Sequence, residues 1–318
     1  MAETRQSLFP ARLGDISLLQ LDSVEISTNQ TKAIKIPGGS IDPWAIITAY
    51  ADPVVRLTTN DLDSLLGEQT PKVDLLNGYA VDTAAGTPTL SSLFQYQQRS
   101  DGGTFDASNN DIAITSTKGF AYIEEISAMQ DDPEGARATV QYAALSPTGQ
   151  SSPLSIAGAH TLVGTPTFNS AFFLGPVMVG TVGSGAKIEG ITGVTVRPGI
   201  DYRVKRSSGA PYATIGSIHE RRPEIRLKCA DLGAVYTNLA SFFGQAISGT
   251  STQIACYFQC GQHASTRVAY ATTSHIRVLA ATGEWSPDSY SVSGSDDVNA
   301  EIVIRPTSMS YARTVAIA

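Results

Sequence analysis

Apolar and polar residues alternate along most of this chain with a period of two, the pattern of extended strands whose successive side chains face opposite ways. Lys32 to Ile36, Phe120 to Ile126, Ala138 to Ala144, Ile254 to Cys260, and Ile302 with Ile304 all follow it. Val268 with Tyr270, and Ile276 with Val278, continue the same reading, while Ile16 to Ile26 alternates with phase shifts that predict bulges. Pro37-Gly38-Gly39, Pro198-Gly199 and Pro306 interrupt the runs where turns belong. The polar stretches 97–111 and 284–299 predict exposed loops or hairpin tips. Together these features predict a mainly β chain.

A helical period occurs twice, each time after the same phrase. Pro53, Arg56, Leu57, Asp61 and Leu62 share their spacing with Pro223, Arg226, Leu227, Asp231 and Leu232, and 223 − 53 gives an offset of 170. Val55 and Leu57, then Ile225 and Leu227, alternate as half-buried strands do. Asp61 and Asp231 stand where a helix N-cap belongs. Leu62, Leu65 and Leu66 follow in one copy, and Leu232, Val235, Tyr236, Leu239 and Phe243 in the other. Each copy therefore predicts a strand running into a short capped helix. Gly39-Ser40-Ile41 and Gly216-Ser217-Ile218 provide a second match at an offset of 177, implying seven residues gained or lost between the two matches. Arg56 and Arg226 read as charges on an exposed strand face, with a subunit contact as the sharper alternative. The repeat divides the chain into 1–150, opening with an arm over 1–14, a packed linker at 151–170, and a second β domain at 171–318.

Charged residues make up 16% of the 318 positions, well below the roughly 25% of ordinary soluble proteins, so much of the surface is uncharged or covered by neighbours. A net charge of −7 argues against a surface that grips nucleic-acid phosphates, which needs clustered Lys and Arg. No apolar run is long enough to cross a membrane as a helix, and the first residues lack a secretory-signal pattern. Cys256 and Cys260 lie four apart on one strand, about 13 Å at 3.3 Å per residue, too far to bridge. All three cysteines, Cys229 included, read as small buried apolar residues.

The chain offers little chemistry. His160, His219, His263 and His275 are scattered, no zinc spacing or nucleophile elbow occurs, and Asp101, Asp106, Asn109 and Asp111 do not fit an EF-hand loop. Trp44, heading an apolar run, reads as core, and the adjacent Glu124 and Glu125 read as pointing to opposite faces if extended, or as lying in a turn. No catalytic residue, metal site or cofactor is expected, and the chain does not read as an enzyme.

Two tandem β domains with one short helix each, polar tips, a packing arm and low charge resemble the major tail tube proteins of long-tailed bacteriophages, in the variety whose subunit carries the tube domain twice. The resemblance implies two β-sandwich or barrel-like tail-tube domains, whose inner sheets join with those of neighbours around a lumen. It implies a ring of three chains, stacking into a tube in the virion tail after assembly in the host cytoplasm. The implied partners are further copies of the chain, the tape-measure, terminator and baseplate proteins, and viral DNA that passes through without tight binding. Arg203, Lys205, Arg206, Arg221 and Arg222 are the expected inter-subunit contacts, facing carboxylates of a neighbour. The loops at 97–111 and 284–299, or the arm, would join successive rings. Two other readings stand beside this one: a baseplate hub or distal tail protein, and a β-sandwich adhesin or carbohydrate-binding module.

Overall fold

A computed structural model describes residues 5–8, 11–13, 16–18, 20–67, 74–82, 92–99, 111–160, 170–231, 233, 244–261, 267–291 and 299–317. The strands of the first half are β1 (Arg5–Leu8), β2 (Ala11–Leu13), β3 (Ile16–Leu18), β4 (Leu21–Ser27), β5 (Gln30–Lys35), β6 (Ala45–Ala51), β7 (Val54–Thr59), β8 (Tyr79–Asp82), β9 (Ser92–Arg99), β10 (Asp111–Ser116), β11 (Lys118–Met129), β12 (Arg137–Ala144) and β13 (Ser155–His160). The second half supplies β14 (Ala171–Val179), β15 (Ala186–Ile188), β16 (Ile191–Arg197), β17 (Ile200–Lys205), β18 (Ile215–Arg221), β19 (Glu224–Cys229), β20 (Gln245–Ile247), β21 (Ile254–Gly261), β22 (His275–Ala280), β23 (Gly283–Ser291), β24 (Asn299–Pro306) and β25 (Met309–Val315). The protein is mainly β, and one helical turn, α1 (Leu62–Leu65), follows β7.

Three sheets carry the core. The largest runs in the order β20-β23-β24-β19-β16-β11-β12-β7-β4, with β8 also on β11. The other two run β13-β10-β9-β2-β3, with β1 on β9, and β15-β14-β21-β22-β25. The inner face of the large sheet is apolar because β7 and β19 alternate: Val55, Leu57, Ile225 and Leu227 are fully buried in one continuous core. Strand β21 is buried on both faces, with Cys256 and Phe258 in the main core and Ala255 and Tyr257 against Ile317. All three cysteines are buried and unpaired.

The strand order of the first half recurs in the second, and its register recurs with it. Leu57 pairs with Val24 and Val140; Leu227 pairs with Val194 and Ile302. The bulge between Leu21 and Ser23 reappears between Ile191 and Gly193, and that between Ile123 and Glu125 reappears between Pro287 and Ser289. Equivalent residues are 170 apart over 21–59 and 191–229 (227 − 57 = 170), 164 apart from β11 to β23 (285 − 121 = 164), and 162 apart from β12 to β24 (302 − 140 = 162). The backbone bond from Leu145 N–H to the Lys118 carbonyl is repeated by Thr307 N–H and Thr282, which carries the last two offsets past the strand ends.

Several expectations need correction. The second sequence match fails: the hairpins β5–β6 and β17–β18 keep the 170 offset without a gap. The counterpart of Gly39 in its turn is therefore Gly209, at φ +83° and +74°, whereas Gly216 lies inside β18. The expected linker contains β13, which pairs with β10 because Ala157 and Ile156 continue that sheet. The expected arm supplies β1 and β2, with Ala11 and Leu13 buried in the chain's own core. Residues 284–291 of the expected tip form most of β23, and Trp285 is buried there. Val268 and Tyr270 lie in a turn region outside β22. Residues 292–298 and 100–110 of the expected loops, and the second helix from Leu232 through Leu239 and Phe243, fall outside the described residues; Gly233 alone there is described, as helical.

Candidate assembly surface

The outward face of the large sheet is polar, and its arginines are paired with carboxylates, within a strand or across strands. Arg56 on β7 bonds Glu124 through Nε at 2.9 Å and lies 3.8 Å from Glu25 on β4. Its counterpart Arg226 on β19 bonds Glu224 at 2.5 Å and Glu301 at 3.0 Å, with Asp288 at 3.7 Å. Those carboxylate bonds hold the Arg226 guanidinium more firmly protonated than usual. Glu124 and Asp288 are the extra residues of the two matching bulges, and in each half that extra residue carries the acid facing the strand arginine. A bulge bends the strand and re-aims side chains, so Glu124 and Glu125 share this face, contrary to the alternation expected from their adjacency. Burial, then the charge of Glu124, pushes the Tyr122 phenol up to about 12.

The two halves meet edge to edge. Antiparallel pairing of β11 with β16 sets Ile126 opposite Val196 and Ala128 opposite Val194, and Arg197 bonds Glu125 across the seam at 2.7 Å. Hairpin β17–β18 then lies over the first half. Tyr202 stacks on Phe120 with centroids 4.2 Å apart and planes within 4°. The loop beyond Lys205 is held by Ser146 N–H to the Ala213 carbonyl at 2.7 Å and Ala51 N–H to the Pro211 carbonyl at 3.0 Å. Burial is the main reason the Tyr202 phenol is also pushed up to about 12.

Of the expected contact residues, Arg206 pairs with Asp52 and sits 4.6 Å over the Tyr50 ring, and Arg221 bonds the Asn77 side chain at 2.9 Å and its carbonyl at 2.6 Å. Both join the second half to the first within one chain, Arg206 through a carboxylate and Arg221 through an asparagine. Arg203 pairs with Asp201, and Arg222 with Glu220, each at 2.8 Å, holding both carboxyls below their ordinary range. Lys205 is exposed at the end of β17.

In the repeated phrase, Pro53, Leu57 and Leu62 are buried, and Asp61 caps α1 by accepting from Ser64 N–H at 3.1 Å. Pro223 is half-buried, Leu227 is buried and Asp231 is exposed, while Leu232 lies outside the described residues.

Compared with models of known families and with the sequences of characterised proteins, the chain gives no match. The reading of this surface therefore rests on its own geometry.

Among the described residues, no three His, Cys, Asp or Glu side chains gather to hold a metal, and no helix is long and apolar enough to cross a membrane. His275 is buried, accepting from Cys260 N–H at Nδ1 and facing the Ala269 carbonyl at Nε2, each at 3.0 Å. That pair of bonds requires the neutral tautomer with the proton on Nε2.

Sequence reasoning missed Phe120, Tyr202, Glu124, Glu125 and Arg197, which make the seam and its cover. The 170 offset, extended from the phrase into both hairpins, would have placed Tyr202 opposite the position of Lys32 and drawn attention to it.

Proposed function

We propose that this chain is a structural subunit of the tail tube of a long-tailed bacteriophage, built from two tandem β-sandwich-like tube domains, and that three copies close into a ring. One observation carries the reading: the last strand of the first half's four-stranded segment, β11, pairs with the first strand of the second half's segment, β16. The same head-to-tail step leaves β4 at one end of the large sheet. At the other end it leaves the part of β23 beyond Trp285, past its pairing with β20. Carried to the next copy, the seam would set Tyr290 opposite Ile26 and Ser291 opposite Glu25 (126 + 164 = 290; 196 − 170 = 26). A heterologous contact of this kind generates a ring when its rotation closes, and closure removes the strand edges that otherwise invite aggregation.

The paired charges on the polar face suit a channel lining. Each guanidinium described there already meets carboxylates, and the exposed Lys228 beside them does not make a basic stripe of the kind that holds phosphates. Viral DNA would pass without being held, and the rings would stack between terminator and baseplate proteins around a tape-measure protein. The part played is structural, in the virion, with no catalytic step. Electron microscopy of the concentrated protein tests the reading: rings or stacked tubes are expected. Monomers decorating a glycan surface would favour the adhesin reading, and single rings that never stack would favour a hub or distal tail part.

A further inference from the structure

The two hairpins are equivalent in register but not in environment. On β17–β18 the loop residues Ala213 and Thr214 are buried, at 2% and 8% exposure, because they lie against the first half of the chain. Their counterparts on β5–β6 are Pro43 and Trp44 (213 − 170 = 43; 214 − 170 = 44), and Trp44 is 80% exposed. Ile41, the counterpart of Pro211, is 95% exposed, and Ile34, Ile46 and Ile47 are also more than half exposed. An apolar cluster of this kind on a two-stranded arm is the mark of a surface that is covered in use.

We propose that the β5–β6 hairpin docks on a second copy of this chain, in the place on that copy's second half that corresponds to the seat of β17–β18 on the first half. This rests on the reading of the chain as a self-assembling subunit and names the contact that the edge pairing does not supply. The recipient positions follow from the register. Ser146, which donates to the Ala213 carbonyl, corresponds to Ser308 (146 + 162 = 308), so Ser308 N–H of one copy donates to the Pro43 carbonyl of the next. Phe120 corresponds to Glu284 (120 + 164 = 284), and Tyr202 to Lys32 (202 − 170 = 32). The aromatic stack inside the chain therefore becomes a pair of opposite charges between chains. Ser308 and Glu284 are both exposed, as the recipient surface requires. The loop of β5–β6 falls beside Arg221, the counterpart of Ala51 (51 + 170 = 221).

The choice of a second copy as occupant has two independent grounds. The first is continuity with a seat already built once within the chain. The second is charge: the two positions facing each other by register, Lys32 and Glu284, are complementary, whereas two unrelated surface positions carry no such relation.

The test mixes two single-substitution proteins, Pro43→Cys and Ser308→Cys, under mild oxidation. The native cysteines are buried, and the backbone bond that this pair copies is 2.7 Å long, which brings the two Cα atoms into disulfide range. A disulfide-linked species of twice the chain mass, formed in the mixture and not by either protein alone, is the expected result. Lys32→Glu should lower its yield about tenfold, and Glu284→Lys on the other partner should restore it. If wild-type protein forms rings by electron microscopy but the mixture gives no such species, the hairpin docks elsewhere and this inference is wrong while the tube reading stands. Linked pairs without rings would uphold the docking and refute the tube. Absence of both would refute both.

Discussion

Removing the Phe120–Tyr202 stack should loosen the grip of the second half's hairpin on the first half, and a double-mutant cycle measures that grip directly. Phe120 is buried, packed between Tyr202 and Tyr122, whose ring lies 6.0 Å away. Phe120→Ala leaves a cavity under the hairpin and should cost about 3–4 kcal/mol, toward the lower part of the range for buried phenylalanine. Tyr202 is half-buried, so Tyr202→Ala should cost about 2 kcal/mol from lost apolar burial. A parallel stack at 4.2 Å adds about 1 kcal/mol that belongs to the pair alone. The double variant should therefore lose about 1 kcal/mol less than the sum of the single losses. Urea denaturation of the four proteins at neutral pH, with equal m-values, supplies the numbers. Strict additivity within error would mean that the rings do not hold each other and that the hairpin is seated by its backbone bonds and by the Arg206 and Arg221 contacts instead.

Other expected outcomes follow from the same geometry. The Tyr122 and Tyr202 phenols are both pushed up to about 12 from an ordinary 10; a raised folded-state value means their contribution is intact below pH 10 and lost as pH climbs through 10 to 12. Alkaline unfolding should therefore begin in that window, and Tyr202→Phe, which keeps the stack, should shift it upward; an unchanged alkaline midpoint would contradict the assignment. Leu57→Ala and Leu227→Ala, at equivalent fully buried positions, should each cost about 2–5 kcal/mol by thermal and chemical denaturation, and a loss below about 1 kcal/mol at either site would contradict the shared core. Gly199 holds φ +63°, and a Cβ at that position would fall 1.9 Å from the Arg222 carbonyl oxygen, so Gly199→Ala should cost at least about 1–3 kcal/mol; a neutral substitution would mean the base of the hairpin is free to move. Purified subunits should show no DNA affinity by fluorescence anisotropy even at low salt, and binding that weakened steeply with added salt would contradict a paired, non-gripping face.

The part of the fold legible in the residue pattern is the part governed by local periodicity. Val55, Leu57, Ile225 and Leu227 alternate because one face of each strand is buried, and their positions in the large sheet match that reading. The Leu21/Ser23 bulge is legible as a phase shift. Features decided by distant partners are not legible. Trp44 reads as core because its neighbours are apolar, yet it is 80% exposed, because no packing partner for it comes with the hairpin that carries it. Glu124 and Glu125 read as opposed because a bulge between Ile123 and Glu125 leaves no mark in composition. Residues 155–160 read as linker because Ser, Ala and Gly dilute an alternation that pairing with β10 supplies. The candidate assembly surface is legible only through the repeat: the offset of 170 locates Arg56 and Arg226, and the same offset, followed to its ends, pairs the buried Thr214 with the exposed Trp44.

The head-to-tail joining of the sheets is most directly tested by the mass of the assembled species. Native mass spectrometry or sedimentation of concentrated protein should find a closed ring of three chains, three times 33.5 kDa, or about 100 kDa for a closed heterologous ring, along with stacks of that unit. A two-chain species that did not grow with concentration would mean a two-fold contact between like edges, and a single chain at every concentration would mean that β4 and β23 do not join at all; either would contradict the account.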